Sequence, residues 1–404
     1  MRESSDINNA SDTSGAANIS AHDTSHASDT SDTTRASHAS AKPQETIQLA
    51  QGSGGAATNA LIDRVFLKHL GRFFVSSGED AGVFGASGDM ALSTDSFVIS
   101  PIFFQGGDIG KLSVCGSSND VAMMGAKPQF MSFGFIIEEG LPLAKLESIV
   151  QSIALELQKT GIKILSADTK VVPRGGADKV FINTTCLGHI TKRGISAKAL
   201  QKGDAIILSA PIGAHGASIF ATREGIGLDS SLQSDCAQLY PMLEPLLASA
   251  LPIHAMRDAT RGGLSAVLNE WAQDSRALIE VDEEALIVDE RVQGVCEILG
   301  LEAYMLANEG VCVIAAPSEA ADEICAILRA HPLGAQARII GRVAESAKVD
   351  SSVAGVLDSG AAGDKRARGA RVVSQNLARV VLKSAWGGKR FMEYPQGELL
   401  PRIC

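Results

Sequence analysis

The sequence predicts an α/β (α+β) fold of two domains, with a disordered head before them and a mobile tail after them. Three observations carry this expectation. From about residue 46 onward, apolar residues at helical spacing alternate with short β-like runs. A polar, glycine-containing stretch near 193–203 divides that pattern in two. The chain has 404 residues, 45% hydrophobic and 20% charged, which suffices for two cores of ordinary size.

Residues 1–44 are Ser, Asp, Thr, Ala and His with repeated SDTS-like units, and too few large apolar side chains to offset the entropy of ordering. The expected first domain spans 45–195. Ile47–Leu49 reads as a strand, followed by the Gly52-Ser53-Gly54-Gly55 loop and a helix through Leu61, Val65 and Leu70. Met90 to Phe97 alternates like a strand, and helical spacing runs from Ile109 to Met124. Pro142 opens an amphipathic helix with Leu143, Leu146, Ile149, Val150, Ile153 and Leu157 on one face, stopping at Gly161. Ile162–Leu165 reads as a buried strand delivering Asp168 at its C-terminal end, and Val180–Leu187 as another. The expected second domain spans 196–385, with strands at 205–209, 278–281 and 311–316, helices at 235–250, 260–273 and 319–330, and a loop insertion at 351–370. From Trp386 a Gly/Pro-punctuated tail of 386–404 leads to Cys404, and about 16 extended residues reach about 50 Å at roughly 3.3 Å each.

Composition narrows the function. A formal net charge of −10 argues against nucleic acid or an anionic membrane as the main partner. No apolar run approaches the roughly 20 residues of a membrane span, and the N-terminus lacks a basic-then-apolar leader. Seven cysteines without paired spacing or CxxC fit a reducing cytoplasm and no structural zinc. Gly52–Ala57 formally matches GxGxxA, but the acidic residue expected at the end of a second strand is not clean, so a mobile glycine loop is the alternative. A GxxxxGK[ST] phosphate loop is absent.

The chemistry-bearing signal is a set of aspartates in turn or strand contexts: Asp80, Asp95, Asp120 and Asp168, with Lys170 close to the last. Mg²⁺–polyphosphate chemistry needs hard carboxylate oxygens for the metal and a cation for the phosphates, and this set supplies both. Each aspartate alone also fits a cap or turn. Arg257-Asp258-Ala259-Thr260-Arg261-Gly262-Gly263 precedes an amphipathic helix, either as an anion-binding N-terminus or as a plain start capped by Thr260. Glu309 in Asn308-Glu309-Gly310 is a candidate general base or a turn residue. Cys404 is either an exposed thiol on a frayed end or a carrier that enters and leaves a pocket.

Thr94–Phe97, Phe103–Leu112, Asn119–Ala122, Asp168–Val172, Phe181–Thr184, Arg257–Leu264, Asn308–Gly310 and Pro401-Arg402-Ile403-Cys404 together resemble the HypE family of hydrogenase maturation proteins, in order, from about residue 46 to 404. The resemblance implies a two-domain PurM-like (aminoimidazole ribonucleotide synthetase) architecture, pairing into a homodimer through the first domain. It implies an ATP- and Mg²⁺-dependent carbamoyl dehydratase. A HypF-type carbamoyltransferase would load Cys404, ATP would activate the carboxamide oxygen, and the resulting cyanide would pass to iron on a HypC–HypD complex. The nucleotide-binding set would be Asp80, Asp95, Asn119, Asp120, Asp168, Lys170, Asp258, Gly262 and Gly263, with metal on Asp80, Asp95, Asp120 and Asp168. Cys404, Glu309, Lys170 and Arg174 would carry the chemistry. Gln51, Ala167 and Val311 stand where the family commonly has His, Gly and a basic residue, and the last of these changes leaves Lys170 or Arg174 as the cation near the reacting carbonyl. The competing readings are another PurM-like synthetase of the selenophosphate type, against which the 52–58 loop has no cysteine, and a non-catalytic scaffold presenting its tail, against which the aspartate set speaks.

Overall fold

The computed structural model describes residues 44–53, 55–75, 81–225, 232–346, 378–395 and 401–404. Gln44–Cys404 forms one compact unit. The expected head (1–43 of it), the 351–370 insertion and Asp80 lie outside the described residues.

The first layer begins with α1 (Gly55–Leu61), which runs on through a π-helical turn at Ile62–Leu67. The first sheet comprises β1 (Met90–Phe97), β2 (Ala126–Glu138), β3 (Lys163–Val172) and β4 (Val180–Ile190), in the order β1-β4-β2-β3. Its pairs are antiparallel except β2 with β3. That parallel pair requires a crossover, supplied by α3 (Leu143–Thr160), whose Leu146, Ile149, Val150, Ile153 and Leu157 are buried. The α3 helix stops at Gly161, whose φ of +74° suits a residue without a Cβ. Between α3, the sheet and the second domain lies α2 (Ile109–Met123), capped by Asp108 and buried nearly all round, including Ser113, Ser117, Ser118 and Asn119.

Strand alternation divides the first sheet sharply. Ser93, Asp95 and Phe97 face the helices. On the other face Leu92 is 64% and Ile136 44% exposed, among Thr94, Ser96, Asn183, Asp168 and Lys170.

The second sheet has seven strands in the order β11-β10-β7-β9-β5-β8-β6: β5 (Asp204–Leu208), β6 (Ala255–Asp258), β7 (Ala277–Asp282), β8 (Cys312–Pro317), β9 (Arg338–Ser346), β10 (Arg379–Lys383) and β11 (Lys389–Phe391). Helices flank it: α4 (Ala214–Arg223), α5 (Tyr240–Ala248), α6 (Gly263–Asp274), α7 (Glu290–Leu299) and α8 (Ser318–Arg329). Ile206, Leu208, Val313 and Ala315 pack on the α6 side, and Ile207, Ile314 and Ala316 on the α5 and α8 side. Both faces are therefore covered, and β5 is buried at every position. No helix among the described residues is long and apolar enough to cross a membrane.

Several elements differ from expectation. Ile47–Leu49 is not a strand: Thr46 makes an isolated bridge to Pro142 and Leu49–Gly52 is a 3₁₀ turn. The helix expected at 235–250 starts only at Tyr240, because residues 232–239 run as an irregular segment against α2. The strand expected to end before Asp168 continues to Val172, so Asp168 lies mid-strand. Lys389–Phe391, expected in the tail, pairs with β10.

Candidate functional site

The site forms where the C-terminal end of β1 and the buried helix α2 meet β6 and the 308–310 turn of the second domain. Asp95 points from β1 toward α2, with Oδ2 near Gly116. Asp120, one helical turn before the end of α2, accepts a 2.6 Å hydrogen bond from Ser93 Oγ. Asp258, the last residue of β6, is 7% exposed, and its Oδ2 is buried without a hydrogen-bond partner. Burial raises the pKa of all three, and mutual repulsion adds to it at Asp120 and Asp258. Asp258 is pushed up to about 7, first by burial and then by the charge of Asp120. Arg257 and Arg261 oppose the shift at Asp120. Among the described residues no three acidic, histidine or cysteine side chains close on a single point.

Glu309 is 3% exposed, and burial, followed by Cys236, Asp258 and Asp235, lifts its carboxyl well above the usual range. Its turn is fixed by Asp235, whose Oδ2 accepts from the N–H groups of Glu309 (3.0 Å) and Gly310 (2.9 Å). A Cβ on Gly310 would stand 1.9 Å from the Asp235 carbonyl oxygen, so the close approach of these two segments demands glycine there. Burial pushes the Asp235 carboxyl up to about 6.

Not every predicted residue joins this cluster. Asn119, expected at the nucleotide, has both ends of its amide engaged with protein: Oδ1 accepts from Leu239 N–H at 2.8 Å and Nδ2 donates to the Ala237 carbonyl at 3.0 Å. It clamps the 232–239 segment to α2. Gly262 and Gly263 do open α6, with φ of +76° and +60°. A Cβ on Gly263 would also stand 2.5 Å from the Leu306 carbonyl oxygen, so chain packing by itself requires glycine here. Asp168 and Lys170 lie on the open face, paired with each other at 2.7 Å, and Lys170 holds the Asp168 pKa down. A single chain does not bring them to Asp95 and Asp120, because alternation sends them to the opposite side of the sheet and β3 is the edge farthest from β1. Arg174 follows β3, its guanidinium against Gly140.

The last four residues are docked. The Val98 N–H donates to the main-chain oxygen of Cys404 at 3.1 Å, three residues beyond Asp95. Ile403 is 3% exposed, and Cys404 packs beside it at intermediate exposure. The other six cysteines are buried. Sequence reading missed Asp235, His215, Arg223 and Asp178, which hold either the Glu309 turn or this end segment. None sits in a recognisable pattern, since each acts on residues far away in the chain.

Comparison with known proteins follows the two layers. The AIR synthase related protein N-terminal domain family matches residues 78–190, and the corresponding C-terminal domain family matches residues 201–354. The carbamoyl dehydratase HypE of Escherichia coli strain K12 is 43% identical over 366 residues, covering 89% of this chain and 99% of the relative. A crystal structure of the hydrogenase maturation protein HypE in complex with ATP superposes with a TM-score of 0.78 at 40% identity, covering 88% of this chain and 99% of that one. A chain in a crystal structure of a HypE–HypF complex superposes with a TM-score of 0.67 at 36% identity, covering 83% and 100%.

Proposed function

The chain belongs to the HypE family of carbamoyl dehydratases and has its two-domain PurM-like fold, and from that premise we propose that it uses ATP to convert a carbamoyl group carried on the Cys404 sulfur into a thiocyanate. The observation that carries this reading is the docking of Pro401–Cys404 against Val98 and Ser100, just past the end of β1 and three residues beyond the half-buried Asp95, whose charge is felt by Asp120 and by the buried Asp258.

The steps follow from the groups present. A carboxamide oxygen leaves poorly. ATP transfers its γ-phosphoryl group to that oxygen, giving ADP and an O-phosphorylated thioimidate carbon on sulfur. Loss of both nitrogen protons and departure of phosphate with the oxygen leaves S–C≡N. Glu309 is the candidate base: its raised pKa makes the ionised carboxylate a stronger proton acceptor than an exposed one. Cys404 is the carrier and keeps its C–S bond throughout.

The donor set fits Mg²⁺ bound with nucleotide, since Mg²⁺ takes one or two carboxylates plus phosphate oxygens. Asp95 and Asp120 would hold it, and Asp80 and Asp168 complete the proposed set from residues outside the described site or across the sheet. Bound there, Mg²⁺ supplies charge neutralisation to the phosphates. Asp258 and the Gly262–Gly263 helix start line the nucleotide side. Lys170 and Arg174 reach a site only if a second chain covers the open face of the first sheet. The exposed Leu92 and Ile136 on that face support such a homodimer. The solved HypE–HypF complex supports a HypF-type donor. Delivery of cyanide to iron on a HypC–HypD scaffold, in the cytoplasm, completes the proposal.

Intact-mass measurement tests it. Carbamoylated protein given Mg²⁺ and ATP loses the mass of one water, and the change maps to Cys404. Glu309→Gln accepts the carbamoyl group and stalls before the loss. Modification at Cys115, Cys186, Cys236, Cys296, Cys312 or Cys325 instead would overturn the carrier assignment.

A further inference from the structure

The docked end is held chiefly through its main chain. Ser100 N–H donates to the Arg402 carbonyl at 3.3 Å, and Val98 N–H to Cys404 O. Arg223, in the last turn of α4, spreads its guanidinium over three carbonyls: Nε to Ser100 and Nη1 to Pro401, both at 2.6 Å, and Nη2 to Arg402. At the start of the same helix His215, fully buried, meets the Ile403 carbonyl through Nε2 at 2.8 Å. The carbonyls of Pro401, Arg402 and Ile403 and one terminal oxygen of Cys404 thus each have a donor. Side chains add to this: Arg402 donates from Nε to the Val98 carbonyl at 2.8 Å and from Nη1 to Asp178 Oδ2 at 2.9 Å, its guanidinium stands 5.8 Å from the centre of the Phe181 ring, and Ile403 fills an apolar seat.

The chemistry of His215 is determined by its partners. A carbonyl accepts only, so Nε2 carries the hydrogen. Nδ1 is then an acceptor, and Ser234 Oγ donates to it at 2.8 Å while accepting from Cys236 N–H at 3.0 Å. Burial moves the imidazole pKa down to about 4, which keeps this neutral tautomer. Phe104 stands edge-on to the ring, with centroids 5.5 Å apart, and restricts its rotation.

We propose that His215 and Arg223, at opposite ends of α4, form a latch that reads the main chain of Pro401–Ile403 and so places the Cys404 sulfur for the ATP-dependent step. They are positioning residues, and the assignment rests on the reading of Cys404 as the carrier. Main-chain recognition suits a segment that must dock with its terminal sulfur in different chemical states, because the His215 and Arg223 hydrogen bonds to Pro401, Arg402 and Ile403 are made to main-chain oxygens. Arg402 docks with φ of +54°, a region that costs a non-glycine residue on the order of 1 kcal/mol or more. That strain favours release once the latch contacts are lost.

The test uses the full chain and two readouts. The first is the alkylation rate of Cys404 by iodoacetamide, for which the buried cysteines compete poorly. The second is single-turnover water loss from carbamoylated protein. His215→Asn keeps an amide near Ser234 but cannot reach Ile403, and should raise the alkylation rate and lower the turnover rate by about tenfold each, the worth of one buried hydrogen bond. His215→Gln, whose Nε2 reaches farther, should restore much of both. Arg223→Gln should behave like His215→Asn, with the KM for ATP unchanged in all variants. Alkylation at the wild-type rate in both His215→Asn and Arg223→Gln overturns the latch. Faster alkylation with unchanged turnover overturns its positioning role. If wild-type protein loses no water, the carrier reading fails, and alkylation still decides whether the latch exists.

Discussion

Replacing Asp258 by Asn should stabilise the nucleotide-free protein at neutral and alkaline pH while weakening its response to Mg²⁺–ATP. The carboxyl is 7% exposed, has one oxygen without a partner and feels Asp120 and Asp95. Its pKa rises from 3.8 to about 7. Below the lower value both folded and unfolded chains carry the proton, and Asp258 costs nothing. As pH rises between the two values, the unfolded chain releases the proton and the folded chain keeps it, so stability falls. Above about pH 7 the penalty is complete: roughly three pH units at 1.36 kcal/mol each, or about 4 kcal/mol. Asn carries no charge, so urea unfolding in the presence of a chelator should show the variant about equal to wild type at pH 4 and more stable by up to ~4 kcal/mol at pH 8. Asp235, shifted to about 6, remains and keeps part of the slope in both proteins. On the proposed function Mg²⁺–ATP should raise wild-type stability by mass action, and should raise that of the variant less. A variant no more stable than wild type at pH 8 would refute the claim that the Asp258 carboxylate is a buried charge that costs stability.

Asn119→Ala should cost about 2–4 kcal/mol in urea unfolding, because it orphans the buried Leu239 N–H and Ala237 carbonyl; loss of ATP affinity with unchanged stability would return Asn119 to the nucleotide. Asp168→Asn should leave stability within about 0.5 kcal/mol, since its partner Lys170 is also exposed, yet abolish nucleotide turnover; normal turnover would remove Asp168 from the site. Deleting residues 1–43 should leave the melting temperature and ATP use nearly unchanged, as Gln44–Cys404 is compact by itself; a fall of several degrees would show that the head packs on the fold.

The two αβ layers were legible because α3, α6 and α8 carry periodic apolar faces and β1 alternates cleanly. Strands β6, β9, β10 and β11 escaped for a physical reason. They owe their state to pairing with segments distant in the chain, and β11 is exposed at every residue. The Gly310 requirement was equally hidden, since it comes from Asp235 approaching across 75 residues. The Asp95, Asp120, Asp258 and Glu309 part of the site was legible as residue types in motifs. The side of the sheet that each aspartate takes depends on register, and the extension of β3 through Asp168 turned that residue and Lys170 away from the others.

This division bears on how the site works. Asp95 and Asp120 come from the first domain, Asp258 and Glu309 from the second, and the 232–239 segment is wedged between them by Asn119, Gln238 and Asp235. Apart, these carboxylates would be hydrated and ionised at neutral pH. Brought together, they repel one another and lose water, as the raised pKa values of Asp120, Asp258 and Glu309 record. The apolar contacts of α2 with α5 and the buried Asn119 clamp must offset that cost in the nucleotide-free protein. A divalent cation brought in with nucleotide, as proposed, would reverse the sign of the carboxylate interaction, so the interface should tighten on binding. The Glu309 turn and the seat of Ile403 both lie at this interface. Nucleotide binding and docking of the Cys404 segment should therefore favour each other, each reducing the cost of ordering the same surface.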